Sequence, residues 1–366
     1  MGRPRSLLSL TPCRLATALV LLFTGAGLAA LMRSPAARRP DATTLPYELV
    51  STFSIVAFDP ATGDLGVAVQ SKFFAVGRVV PFAAAAVGAV ATQANANTTY
   101  GRRGLELLAQ GRAPEEVIQT LIDADPQREE RQVGIVDATG DAASFTGGAT
   151  LPWAGGRTGS HYAVQGNILA GPEVIDAMAE TFEETHGDLA TRMVAALSAG
   201  QQAGGDARGR QSAALLVVRE GAGYGGFDDR YIELRVEDHQ TPIRELQRLL
   251  DIRHGQLSLQ RAAMVLLQAA GASDAGRPRL LDDALEAGTA ATVLYPGNGW
   301  AWMTLAEVHL ARGELESAAA AGSEALRRDP WIKTAILRGI AGSTHVVEEL
   351  LANGAFRSLW VQIEAR

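Results

Sequence analysis

The sequence predicts an α+β body followed by an all-α tail. Three observations carry this. Short alternating runs come in pairs joined by Gly, Pro and Asp turns. Two pairs of helical segments interrupt them, giving the order strands, helix pair, strands, helix pair, strands, which suits sheets covered by helices. Past residue 240 the composition turns to Ala and Leu at helical spacing.

The first strand is Ser51 to Asp59, with Phe53, Ile55 and Ala57 on one side and Thr52, Ser54 and Val56 on the other. The turn 59–64 reverses it into Leu65–Val69. Strands follow at Val79–Pro81 and Gly88–Gln93, then the polar knot Asn95 to Gly101. Helices are expected near 100–110 and 114–125, where Pro114 with Glu115 and Glu116 suits a helix start. Gln132–Asp137 and Ala142–Thr146 form a hairpin, and His161–Gln165 is a short strand. Helices 172–184 and 189–199 precede two closing strands, 211–219 and 230–236, joined by a glycine-rich turn. That turn leads into a strand, not a helix, so it is no dinucleotide loop, and no Walker-type Gly-Lys-Ser/Thr occurs.

The chain of 366 residues is 47% apolar and 20% charged, long enough for more than one domain. Its net charge is −7, although residues 1–47 hold Arg3, Arg5, Arg14, Arg33, Arg38 and Arg39 against Asp41 alone. An acidic body without a basic run argues against nucleic acid as a partner. The single cysteine, Cys13, lies ahead of the body, and the six histidines form no HExxH or HxxxH, so no metal or cofactor is expected.

Basic flanks around the apolar run Leu15–Met32 read as a secretory signal or an uncleaved anchor. The run is near the lower limit for a span, which needs about 20 residues. Residues 1–33 are therefore assigned as leader, 34–47 as tether and the body as exported.

Several stretches resemble one family. Thr52-Phe53-Ser54-Ile55-Val56-Ala57, Ser71-Lys72-Phe73 and Gly88 to Ala94 are similar to the DUF1028 family. So are Gln132-Val133-Gly134, Val164 to Gly171, Gln201 to Asp206, Gln211 to Val217 and Tyr224 to Arg230. The resemblance implies a domain over 48–240 of the N-terminal-nucleophile hydrolase type, a four-layer αββα sandwich. It implies no substrate and no agreed catalytic set.

In that superfamily the first residue's α-amine serves as base for its own hydroxyl, since Ser and Thr are weak nucleophiles unaided. By analogy Thr52 is the candidate nucleophile, with Lys72 lowering a nearby pKa and Asp206, Gln211 and Ser212 orienting the amine. Asn97, Gln165 and Asn167 are candidate oxyanion donors, Ser71 lines the site, and Ser54 shares the strand face with Thr52. Asn97 and Asn167 read more readily as helix caps or loop-satisfying residues, Lys72 also as a solvated strand end and Asp206 as a turn former. Freeing the Thr52 amine requires cleavage after Ser51, and Leu49-Val50-Ser51 is a poor signal-peptidase site because Leu49 is large.

Residues 241–275 read as connector helices, starting with Pro242 and the spacing Ile243, Leu246, Leu249 and Leu250. Over 276–366 Trp302, Leu305, Ala306, Ala318, Ala325 and Pro330 match tetratricopeptide spacing, with turn 312–314. His309 and Gly322 replace the usual aromatics, and Ala284, Ala291 and Pro296 repeat the second-helix marks one 34-residue period earlier. A plain helical hairpin extension is the alternative. Leu359, Trp360 and Ile363 form an apolar stripe of the core kind.

Two functions compete: an exported amide hydrolase with a Thr52 nucleophile, and a non-catalytic envelope protein that binds a small ligand. In the second, the helical repeats dock a protein partner. Other contacts are the membrane, if the leader is uncut, and further copies of the chain.

Overall fold

The computed structural model describes residues 52–339 and 343–363. The leader, the tether and the bond before Thr52 lie outside the described residues, which fall within one compact unit. Among them no helix is long and apolar enough to cross a membrane.

The strands in chain order are β1 (Thr52–Asp59), β2 (Asp64–Ser71), β3 (Pro81–Ala84), β4 (Gly88–Ala94) and β5 (Arg131–Asp137). They continue as β6 (Ala142–Thr146), β7 (Gly155–Gly159), β8 (Tyr162–Asn167), β9 (Ser212–Val218) and β10 (Arg230–Val236). They form a six-stranded sheet, β10-β9-β2-β1-β8-β7, and a four-stranded sheet, β3-β4-β5-β6. Every named pairing is antiparallel. This confirms the mixed α+β class.

Alternation along β1 decides the packing. Val56 joins Leu65, Val67, Val69, Ala89, Ala91 and Val136 in a core shared by the two sheets. Phe53 and Ile55 point the other way, onto α3 (Glu173–Glu184) and α4 (Leu189–Gln202), where they meet Met178, Phe182, Met193 and Leu197. Burial of each such side chain contributes roughly 1.5–3 kcal/mol. The outer face of the smaller sheet is covered by α1 (Thr99–Leu108) and α2 (Pro114–Asp123) through Val90, Leu107, Val117, Leu121 and Ile135.

Two elements differ from the sequence reading. Strand β7, Gly-Gly-Arg-Thr-Gly, is invisible to propensity because glycine weakens strands, yet it pairs with β8 as an edge. Helix α5 (Pro242–Ala270) runs unbroken for 29 residues, well past Leu250. Its first turns belong to the sheet-covering core, since Ile243, Leu246 and Leu250 are buried there.

The rest of the tail is α6 (Arg277–Leu294), α7 (Gly299–Ala311), α8 (Leu315–Arg328), α9 (Trp331–Leu337), α10 (Thr344–Leu350) and α11 (Gly354–Gln362). The α7–α8 turn closes on Gly313, whose φ of 79° suits glycine. Small residues let these helices approach: Ala306, Ala318 and Ala325 are fully buried. At Gly322 an added Cβ would lie 3.0 Å from the Phe356 ring, so a residue of α11 takes the room an aromatic there would need.

Candidate functional site

The space between the sheets is not uniform along the strands. Toward the Thr52 end of β1, its lining changes from valine and alanine to hydroxyls and amides. Ser54, Gln93, Gln132, Gln165, Asn167, Thr52 and Ser71 are all buried there, none more than 2% exposed. Strand register places them together: Thr52 stands opposite Ser71 on β2 and Asn167 on β8, Ser54 opposite Gln165, and Gln93 opposite Gln132.

Buried polar groups are costly unless hydrogen-bonded, and these residues are bonded in a connected chain, although Gln165 Oε1 finds no partner among the described residues. The Gln165 amide donates to Ser54 Oγ (2.6 Å), and Ser54 Oγ donates to Gln93 Oε1 (2.6 Å). Gln93 Nε2 donates to Gln132 Oε1 (2.8 Å), which also accepts from Asn167 Nδ2 (3.0 Å). Gln132 Nε2 reaches Thr146 Oγ1 and the carbonyl of Gly166. Thr52 Oγ1 donates to Ser71 Oγ at 3.2 Å. No member of this chain carries a formal charge. A base acting here must come from outside these side chains.

The local backbone is under constraint. Ala94 and Ile168, directly after Gln93 and Asn167, have φ of 65° and 51°. For a β-branched residue such as Ile168 this region costs on the order of 1–3 kcal/mol and needs surrounding support. The Leu151 carbonyl accepts from its N–H, and its own carbonyl accepts from Ala207.

Asp206 holds the rim. Its side chain is fully buried, and its carboxylate accepts from the Lys72 N–H (2.9 Å), the Arg208 N–H (2.9 Å) and the Arg208 guanidinium (3.2 Å). A backbone bridge from Asp206 to Leu169 ties in the loop after β8. Ser212 does similar work on the segment after β2: its hydroxyl donates to the Phe73 carbonyl and accepts from the Val76 N–H. Gln211 bonds Asp238 (3.0 Å) and is only partly buried. The Lys72 side chain is exposed.

Thus the structure gathers Thr52, Ser54, Ser71, Gln165 and Asn167, and sets Asp206, Lys72, Gln211 and Ser212 around them as scaffold. Asn97 does not join them. Its amide donates to Asp125 (3.0 Å), and its side-chain oxygen accepts from the N–H and hydroxyl of Thr99, at the start of α1. Thr92, which bonds the Asn97 carbonyl, lies on the opposite face of β4 from Gln93. Burial alone would raise the Asp125 carboxyl, but hydrogen bonds from Arg131, Asn97, Gln127 and Tyr100 outweigh it and hold it well below the usual range. That cluster ties α1 and α2 to β5.

Sequence reasoning passed over Gln93 and Gln132 as site residues, although both are central. The signal was present: each is an amide inside an otherwise apolar or small strand face, Ala89-Ala91-Gln93 and Gln132-Gly134-Val136.

Two antiparallel sheets, helices on both outer faces and a buried uncharged polar seam define the class of protein. The comparisons then place it. The family described as "Family of unknown function (DUF1028)" matches residues 52–246, and the chain belongs to it. Among solved structures, protein SPO2555 from Silicibacter pomeroyi, described under the same family, is 32% identical. The match covers 55% of this chain and 88% of that one, with a TM-score of 0.50. No curated protein matches.

Proposed function

We propose that the sheet-and-helix body is an αββα sandwich of the N-terminal-nucleophile type. In this reading the protein is an exported amide hydrolase whose nucleophile is Thr52 after cleavage of the Ser51–Thr52 bond. The observation that carries it is the placement of Thr52: fully buried between the sheets, its hydroxyl on Ser71, amid amides without charge. In such surroundings a newly freed α-amine is the one base that comes with the nucleophile. The family match also begins at residue 52.

The chemistry runs as follows in this reading. The amine takes the Thr52 hydroxyl proton while Oγ1 forms a bond to the substrate carbonyl carbon. The oxyanion is met by uncharged donors, for which Asn167 and Ser71, opposite Thr52 on both flanking strands, are placed. The protonated amine hands its proton to the leaving nitrogen as the C–N bond breaks. Water then attacks the Thr52 ester, releasing the acid and restoring the hydroxyl. Asp206 acts as a positioning residue, its oxygens already engaged by Lys72 and Arg208. Cleavage before Thr52 supplies the base.

The α7–α8 hairpin is proposed as a tetratricopeptide-type unit that docks a protein partner, supported by its Gly313 turn and buried alanines.

The test is a chain matured to begin at Thr52, assayed against a panel of acyl and aminoacyl 4-nitroanilides. Thr52→Ala is expected to lower hydrolysis at least about a thousandfold, within the roughly 10²–10⁴-fold that proton transfer alone contributes plus the lost nucleophile. Thr52→Ser is expected to retain activity. Equal hydrolysis by Thr52→Ala would overturn the assignment.

A further inference from the structure

The helical tail contains a cavity of about 350 Å³ walled by α5, α6, α7 and α10. That volume falls within the roughly 300–1,000 Å³ of small-molecule sites. The wall is half polar and half apolar, and its apolar part includes Leu266, Leu281, Leu310 and Val346, each contributed by a different helix. Two carboxylates line this space, those of Glu307 on α7 and Glu349 on α10. Glu307 is partly buried, whereas the other charged or titratable lining residues, Arg277, His345 and Glu349, are exposed at the edge.

The Glu307 carboxylate is only half served. Ser343 Oγ donates to Oε1 at 2.6 Å, and among the described residues no hydrogen bond reaches Oε2. Burial raises the Glu307 carboxyl above its ordinary range, opposed by the Ser343 bond and by His345. A partly buried carboxylate gains from a cation delivered to it. A guanidinium would seek both oxygens in a fork and compete with Ser343, whereas an ammonium is a compact point charge that one oxygen can hold.

We propose that this cavity binds a primary alkylammonium group. The ammonium sits on Glu307, and the methylene chain lies along Leu266, Leu281, Leu310 and Val346. The site is separate from the seam around Thr52 and does not depend on the hydrolase reading. The chemistry has two sources, a free diamine or a lysine side chain of a protein partner.

The experiment is calorimetric titration of the full chain with 1,5-diaminopentane, with Nα-acetyl-lysine amide, and with pentan-1-ol as the uncharged control. Either amine is expected to bind at least tenfold tighter than pentan-1-ol. Preference for the lysine amide assigns the site to a protein side chain, and preference for the diamine assigns it to a free amine. Glu307→Gln keeps the shape and the Ser343 partner, and is expected to lower amine affinity at least tenfold with an unchanged melting temperature. Absence of amine binding, or equal binding by Glu307→Gln, overturns the proposal. Should that variant fail to fold, chemical-shift mapping on the wild-type chain decides: shifts centred on Leu281, Leu310 and Val346 support the site, and shifts elsewhere overturn it.

Discussion

Gln165 has no room for a methyl group facing it. A Cβ added at Gly134 would lie 2.0 Å from Gln165 Oε1, so glycine on β5 is what lets the amide of β8 reach across and bond Ser54. Gly134→Ala is therefore expected to destabilise the fold by about 1–3 kcal/mol, the usual range for overpacking, as measured by urea unfolding. An unchanged midpoint would mean the seam is looser than drawn. At this scale the sequence disclosed much of the site. Alternation along β1 put Thr52 and Ser54 on one face, and the family resemblance pointed to Thr52, Gln165 and Asn167. Asn97 misled because it follows the end of β4, where Ala94 turns the chain through a positive φ. Beyond that bend, strand alternation no longer says which side of the sheet a residue occupies. Thus Asn97 serves Asp125 and α1, while Gln93, four residues earlier, serves the seam.

Helix α4 and helix α5 are joined by one polar contact with a pH signature. Asp188 caps α4 by accepting from the Thr191 N–H (2.9 Å), and it also bonds His254 of α5 (2.8 Å). Burial pushes the Asp188 carboxyl up, but the bonds from His254 and Thr191 outweigh this and set it at about 2, below the ordinary 3.8. A carboxylate lowered on folding adds stability above its unfolded pKa, and that stability is lost as pH falls through the folded one. Urea midpoints of wild type and Asp188→Asn are thus expected to differ near neutrality and to converge as pH falls from 3.8 toward 2. A pH-independent difference would contradict the assignment. Among elements, those with strong periodicity were readable, including both helix pairs and the β1–β2 hairpin. Strand β7 was not, because three of its five residues are glycine and only pairing with β8 makes it a strand. The continuation of α5 was hidden by Gly255, a helix-weakening residue placed where a Cβ would strike Tyr295 at 2.7 Å.

Across the whole molecule, α5 belongs to both parts. Its first turns bury Ile243, Leu246 and Leu250 under the six-stranded sheet, and its later turns pack along α6. A chain ending at Gln240 would lose all three, at roughly 1.5–3 kcal/mol each, so it is expected to melt well below a chain ending at Gly271. Equal melting would show that the sheet-covering layer is complete without α5. The same integration bears on function. The fold positions Thr52 at the seam in either reading, but only cleavage before it would turn a buried hydroxyl into a nucleophile with its own base. The most direct measurement is the intact mass and N-terminal sequence of the protein recovered from its host. A chain beginning at Thr52 with a free, reactive α-amine is expected. A fully active protein that still carries Ser51 bonded to Thr52 would contradict it.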